Sequence, residues 1–277
     1  AGMRSYNITA PLTPLTYGGK SFSERAYILA INGNNGTEAW RREVYSQYSN
    51  GEPTGHDFRS LVIDSNSDVY VGGQIWKSLN EQNLKIYDPH NPTTTTYTFT
   101  PTPYSNLPTV IKFKSNGTVQ WVKTPTAFAP NYTTNTALNS KGLALNGNEV
   151  AFGSSESYFV WDSFTLNYSQ FYQPEPTLLR FDKQTGKTIG FHNIEGGGVT
   201  AQKMRAVAVD NNGNYVVGGS FSNQLFTNAG GNVPTITCSG YHNFFVAKLT
   251  NPLSTDKFNN ITVNVYPNPT TDIVNIE

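Results

Sequence analysis

An all-β fold of repeated four-stranded sheets, a β-propeller, is what this sequence predicts, and three observations predict it. Residues 58–73 (FRSLVIDSNSDVYVGG) and 204–219 (MRAVAVDNNGNYVVGG) align without a gap, and residues 141–153 (KGLALNGNEVAFG) are a shorter version of the same pattern. A second motif interleaves with them: 27–40 (YILAINGNNGTEAW), 110–121 (VIKFKSNGTVQW) and 178–191 (LLRFDKQTGKTIGF), each closing on an aromatic, with its first half repeated at 244–249 (FFVAKL). Both markers keep the same order along the chain, and self-similarity at a long period is the signature of repeat architectures.

Each element follows from local chemistry. In the first motif an apolar strand runs into a polar turn of Asp, Asn, Ser and Gly and a second apolar strand leaves it, the composition of a tight β-hairpin. In the second, a Gly-centred turn joins a strand to one that ends on Trp40, Trp121 or Phe191. These three aromatics are expected to pack between adjacent blades, where a large ring buries area that one sheet cannot cover. A period then holds one strand ending on the aromatic, two in the Asp/Asn hairpin and one of the FFVAKL type.

The resulting division is an N-terminal segment at 1–24, possible strands of an incomplete blade; propeller blades at 25–250; a linker at 251–262; and a separate unit from 263. About three to four blades are present, whereas propellers close with four to eight. Part of a larger ring is therefore expected, with a compact four-bladed ring as the alternative.

Between residues 25 and 250 the chain resembles the bacterial β-propeller repeat family whose blades read roughly FVAKL, NG-V-W and IAVD-NGN-VYVGG, and more distantly the tryptophan-docked blades of quinoprotein-type propellers. That resemblance implies a fold and is nearly silent on activity, because propellers host many unrelated functions.

Residues 263–277 (VNVYPNPTTDIVNIE) read as a strand, a proline-stiffened turn and a second strand. They resemble the opening of the C-terminal sorting domain carried by type IX secretion cargo of the Bacteroidetes, through Val265, Tyr266, Pro267, Asn268, Pro269, Asp272, Ile273, Val274 and Ile276. The resemblance implies export across the outer membrane to the cell surface or medium, with a translocon and an outer-membrane carrier as partners. A sorting domain of this kind needs several more strands, so this end is expected to be incomplete.

Composition excludes several classes of function. Charged residues make up 14% of the chain and Lys plus Arg equals Asp plus Glu at 19 each, so no field steers nucleic acid or an anionic membrane surface toward it. One cysteine, Cys238, cannot make an internal disulfide, no metal-ligand spacing of Cys and His exists, and no apolar run is long enough to span a membrane. No cofactor is expected. Asp64-Ser65-Asn66-Ser67-Asp68 resembles the first half of a calcium loop but lacks its Gly and distal Glu, and reads better as a hairpin turn. His56, His90, His192 and His242 lie in no hydrolase pattern.

Two long insertions carry the candidate ligand-binding aromatics: Trp76, Tyr87, Tyr97 and Tyr104 in residues 75–108, and Trp161, Tyr168 and Tyr172 in residues 154–176. Tyrosine and tryptophan among Asn, Gln and Ser suit a glycan or a protein partner, while alternation such as Tyr97-Thr98-Phe99-Thr100 is equally that of an outer strand packed on its own blade. The expectation is a secreted or surface-displayed, non-catalytic binding propeller. The alternative is a polysaccharide-acting enzyme with its site at the ring's centre.

Overall fold

A computed structural model describes residues 2–3, 15–24, 26–45, 56–77, 83–101, 106–128, 142–156, 158–166, 174–197, 202–227, 233–238, 243–249 and 263–264, with backbone alone at 2–3, 94–95 and 263–264. The chain is a β-propeller arc of four successive antiparallel sheets. Blade two runs Asp57–Ile63, Val69–Trp76, Asn106–Phe113 and Val119–Lys123 as an up-and-down meander; blade three runs Gly142–Asn146, Glu149–Glu156, Glu175–Asp182 and Thr188–Asn193; blade four runs Lys203–Val209, Tyr215–Phe221, Asn243–Leu249 and Val263–Asn264. Blade one is built on the hairpin Ala26–Ile31 and Glu38–Tyr45, with Gly2–Met3 paired on its inner side. First strands of blades two, three and four touch one another in succession, which places them innermost.

The Asp hairpins form where the sequence predicts them because the aspartate closes its own turn. Asp64 Oδ1 accepts the backbone N–H groups of Asn66 and Asp68 at 2.9 and 3.0 Å, and Asp210 Oδ1 accepts those of Asn212 and Asn214 at 2.9 and 2.8 Å. Strand grouping differs from expectation by one strand. The aromatic-ending strand completes the sheet of the strand before it instead of opening the next one, because the Gly-centred turn between them is a tight antiparallel connection: Phe113 pairs with Val119, Phe181 with Thr188 and Ile31 with Glu38.

Side chains alternate between the two faces of each sheet, so every internal blade feeds two cores. In blade three, Val150, Phe152, Leu179 and Phe181 face blade two, and Ala151 and Leu178 face blade four. In blade two, Tyr70 and Val110 face blade three, and Val71, Ile111 and Phe113 face blade one.

Trp40 and Trp121 dock as expected. Trp40 Nε1 donates to the Ser115 carbonyl at 2.8 Å and its ring lies 5.8 Å from that of Phe113, so blade one is pinned to the Gly117 turn of blade two. Trp121 Nε1 donates to the Lys183 carbonyl at 3.4 Å in the Gly186 turn of blade three. Both glycines have positive φ, +80° and +72°, and a Cβ at either would lie 2.6 or 2.7 Å from the docked indole, so conformation and space both demand glycine.

Phe191 does not follow. Trp121 pairs with Lys112, but the residue paired with the corresponding Arg180 is Gly190, and Phe191 sits one position on, opposite Leu179. One step along a strand reverses the face. Phe191 therefore turns back toward blade two and meets Phe164 edge-on at 6.1 Å.

The insertions are not loops free of the blades. That of blade two supplies Leu84–Tyr87 and Tyr97–Phe99, which add to the outer edge of blade one. The insertion of blade three supplies Phe159–Trp161 and Phe164–Thr165, which pair with Ala127–Phe128, just past the last strand of blade two. Within the insertion of blade four, Leu225 bridges to Gly196, just past the last strand of blade three. Each insertion reaches back to the blade before its own. Among the described residues no helix is long and apolar enough to cross a membrane.

Candidate functional site

The predicted aromatics fall into different environments. Trp161 is fully buried, its Nε1 donating to Glu156 Oε2 at 2.8 Å and its ring 5.4 Å from Phe181. Tyr97 is half-buried beside Phe99, both packed on the core between blades one and two. Trp76 ends its strand half-buried, and its backbone N–H donates to His56 Nδ1 at 3.1 Å. Tyr87 is half-buried on the opposite face of blade one from that core. Tyr104, Tyr168 and Tyr172 lie outside the described residues, as do all nine residues of the sorting-signal resemblance. Val263–Asn264, just before them, pairs with Lys248 and Leu249 as the fourth strand of blade four.

Around Tyr87 the fold assembles a site that the sequence did not single out. Glu43 is opposite Tyr87, and Tyr45 is opposite Lys85. Tyr45 and Tyr87 meet edge-to-face at 6.0 Å, and Lys85 Nζ lies 5.8 Å from the Tyr45 ring centre. The Tyr87 hydroxyl donates to Glu24 Oε1 at 3.0 Å. Burial pushes the Glu24 carboxyl up to about 7; the Tyr87 hydrogen bond opposes this and the nearby Glu43 charge adds to it. Tyr87 is pushed up as well, by burial and by the Glu24 charge.

Residues 15–24 cover this face and are held by buried charge. Glu43 Oε2 accepts the N–H groups of Ser23 and Glu24 at 2.8 and 2.7 Å. Burial raises the Glu43 carboxyl, against those N–H groups and the neighbouring Arg41. Arg41, fully buried, donates to the carbonyls of Ser21 at 2.9 Å and Tyr17 at 3.3 Å, pairs with Glu38, and stacks 4.3 Å over Phe22. His90 Nε2 lies 3.0 Å from the Ser21 carbonyl. The run Glu38-Ala39-Trp40-Arg41-Arg42-Glu43, charged residues in an otherwise apolar strand, was the one sequence signal for this cluster.

Chemically, two half-exposed phenol rings with an ammonium and a carboxyl on their rim offer stacking and hydrogen bonding. Among the described residues no group of three or more His, Cys, Asp and Glu is placed to hold a metal ion. The Asp64 carboxylate, besides capping its turn, is paired with Lys183 of blade three at 3.2 Å and accepts from Tyr70 at 3.2 Å. A second acidic pair, Glu156 and Glu175, stands directly opposite across two strands of blade three. Burial pushes Glu156 up to about 7, against hydrogen bonds from Ser154 and Trp161, and Glu175 up to about 9, with the Gly196 N–H opposing and Glu195 adding. Both are packed inside the blade.

No protein-family model matches this chain, and no curated protein does. Among solved structures it is similar to the extracellular domain of a hybrid two-component system from B. thetaiotaomicron, at 14% identity and a TM-score of 0.20 over 78% of this chain and 32% of that one. It is also similar to BamB from Moraxella catarrhalis, at 11% identity and a TM-score of 0.20 over 83% of this chain and 90% of that one. The chain thus spans about a third of the length of the first. Likenesses this slight carry nothing about activity, and the propeller assignment rests on the sheets themselves.

Proposed function

We propose that the protein is a non-catalytic binding propeller that engages a glycan or a protein partner through the outer edge of blade one. The observation that carries this reading is the Tyr45–Tyr87 pair, half-exposed and rimmed by Lys85 and Glu24. Aromatic rings present rigid apolar area to the C–H face of a sugar or to a side chain, and a Glu24 carboxyl poised near neutrality both donates and accepts hydrogen bonds. A glycan array followed by titration tests it. Tyr87→Ala and Tyr45→Ala should each weaken the recovered ligand at least tenfold, and unchanged affinity in both variants would discard the site.

Display outside the cell is part of the same reading, supported by the likeness of residues 263–277 to a type IX sorting signal. The partners would then be the translocon and its outer-membrane carrier. Deleting these residues should leave the protein inside the producing cell; export at the wild-type level would remove the secretion assignment while leaving the binding site standing.

A further inference from the structure

We infer that the site on blade one takes an acidic glycan, a pyranose carrying an anionic group on its rim, in preference to a neutral one. This names the ligand class of the binding site proposed above and rests on that reading. The two strands that the insertion of blade two adds to blade one have one buried and one open face. Leu84 and Ile86 are fully buried and Tyr97 and Phe99 pack on the same core, while Lys85 and Thr98 are exposed. Register brings the outward residues into one row: Tyr45 is opposite Lys85, and Lys85 is opposite Thr98. Strands about 4.8 Å apart make that row about 10 Å wide. Tyr87, two residues along the strand from Lys85, shares the face at a distance of about 6.6 Å.

The ammonium in this row has no counter-ion. Lys20, Lys112, Lys123, Lys183 and Lys248 each pair with a carboxylate, and among the described residues no carboxylate pairs with Lys85. Its contact is the Tyr45 ring, whose centre is 5.8 Å from Nζ. The two nearest acids do not neutralise it. Glu43 is fully buried, holds the N–H groups of Ser23 and Glu24, and lies 3.9 Å from Arg41. Glu24, bonded to the Tyr87 hydroxyl, keeps its proton up to about pH 7. A cation held against a ring with no anion beside it attracts a negative group and repels a positive one.

A pyranose stacks on an aromatic ring through its C–H face, and its substituents project from the rim. With the sugar on Tyr45 or Tyr87, a carboxylate or sulfate on the rim comes within reach of the Lys85 ammonium, and the hydroxyls meet Glu24 and Thr98. A neutral sugar would stack equally well and leave the ammonium unused. Net charge on the chain is zero, so no long-range field contributes and the preference is set at this one side chain.

The test is a glycan array at about pH 5.5, where Glu24 is neutral and a uronic acid is ionised. It presents oligosaccharides of glucuronate, galacturonate, mannuronate, guluronate and sulfated galactose, each beside its carboxyl-reduced or desulfated counterpart. The expected result is an acidic member bound about tenfold more tightly than its neutral counterpart, the size of one charge-assisted hydrogen bond; whether that member carries carboxylate or sulfate identifies the anion. Lys85→Gln should bring the acidic member down to the level of the neutral one, and Lys85→Arg should keep the preference. Acidic and neutral members bound alike, or a preference that Lys85→Gln leaves intact, would overturn this inference, and the binding site would still stand if Tyr87→Ala lost the glycan. Affinity unchanged in both Tyr87→Ala and Tyr45→Ala would remove the site and this inference together. An array that retains no glycan would also overturn it and point to a protein partner instead.

Discussion

The seam between blades two and three and the seam between blades three and four join the same two kinds of sheet by different means. In the first, an indole from the outer strand reaches across to a glycine turn, while on the inner side Gly72 lets Leu143 approach to within 2.9 Å of where its Cβ would be. In the second, Gly190 occupies the indole's position and the outer dock is missing. Closure there falls to the inner strands, where Gly142 and Gly153 leave no room for a side chain beside Val207 and Met204, and to Phe221, Phe226 and Phe245, which fill the gap from blade four. A blade interface thus needs a volume of apolar contact, and either the outer strand or the insertion can supply it.

Mutations sharpen that comparison, beginning with the largest effect. Trp121→Ala should cost about 3–5 kcal/mol of unfolding free energy in denaturant titration, the usual loss for a buried large aromatic. Phe191→Ala, on a half-buried ring, should cost less than half as much; equal losses would mean that both rings dock alike.

Next comes a pH effect centred on blade three. Glu156 is neutral in the folded chain up to about pH 7 but ionises near 4.5 when unfolded, so stability is greatest below pH 4.5 for this group and is lost as pH rises to about 7. The loss is on the order of 3 kcal/mol. Glu175 extends the decline toward pH 9. Glu156→Gln should lessen the slope between pH 4.5 and 7 in thermal melts, Glu175 and Glu24 supplying what remains, and a slope unchanged by the substitution would place the titration elsewhere.

Smaller still is the tie between residues 15–24 and blade one. Tyr87→Phe removes the hydroxyl that bonds Glu24 and should cost about 1 kcal/mol. Proteolysis or amide exchange at residues 15–24 should quicken, and should quicken in the wild type as pH passes upward through 7 and Glu24 ionises beside Glu43. Exchange in blade four should not change.

The regular part of this molecule was legible because it is local. An aspartate that caps its own turn and a glycine that permits a positive φ act within five residues, and the hairpins of blades two, three and four stand where those residues put them. The displacement of Phe191 was legible too, in spacing alone: Trp40 and Trp121 each lie four residues beyond their turn glycine, and Phe191 lies five beyond Gly186. Pairings across long separations were not legible. Nothing local tells Leu84–Tyr87 to join Glu38–Tyr45, and only that pairing brings Tyr87 to Tyr45, Glu24 and Glu43 to make the candidate site.

The backward reach of the insertions sets an order of events during synthesis. The outer edge of blade one waits for Leu84–Tyr87, the chain beyond blade two waits for Phe159–Trp161, and that beyond blade three waits for Leu225. As the polypeptide leaves the ribosome, the sheet of blade one is finished only by strands that follow the hairpin of blade two. Assembly there runs one blade behind elongation, and a pause after Tyr45 leaves that sheet with an open edge.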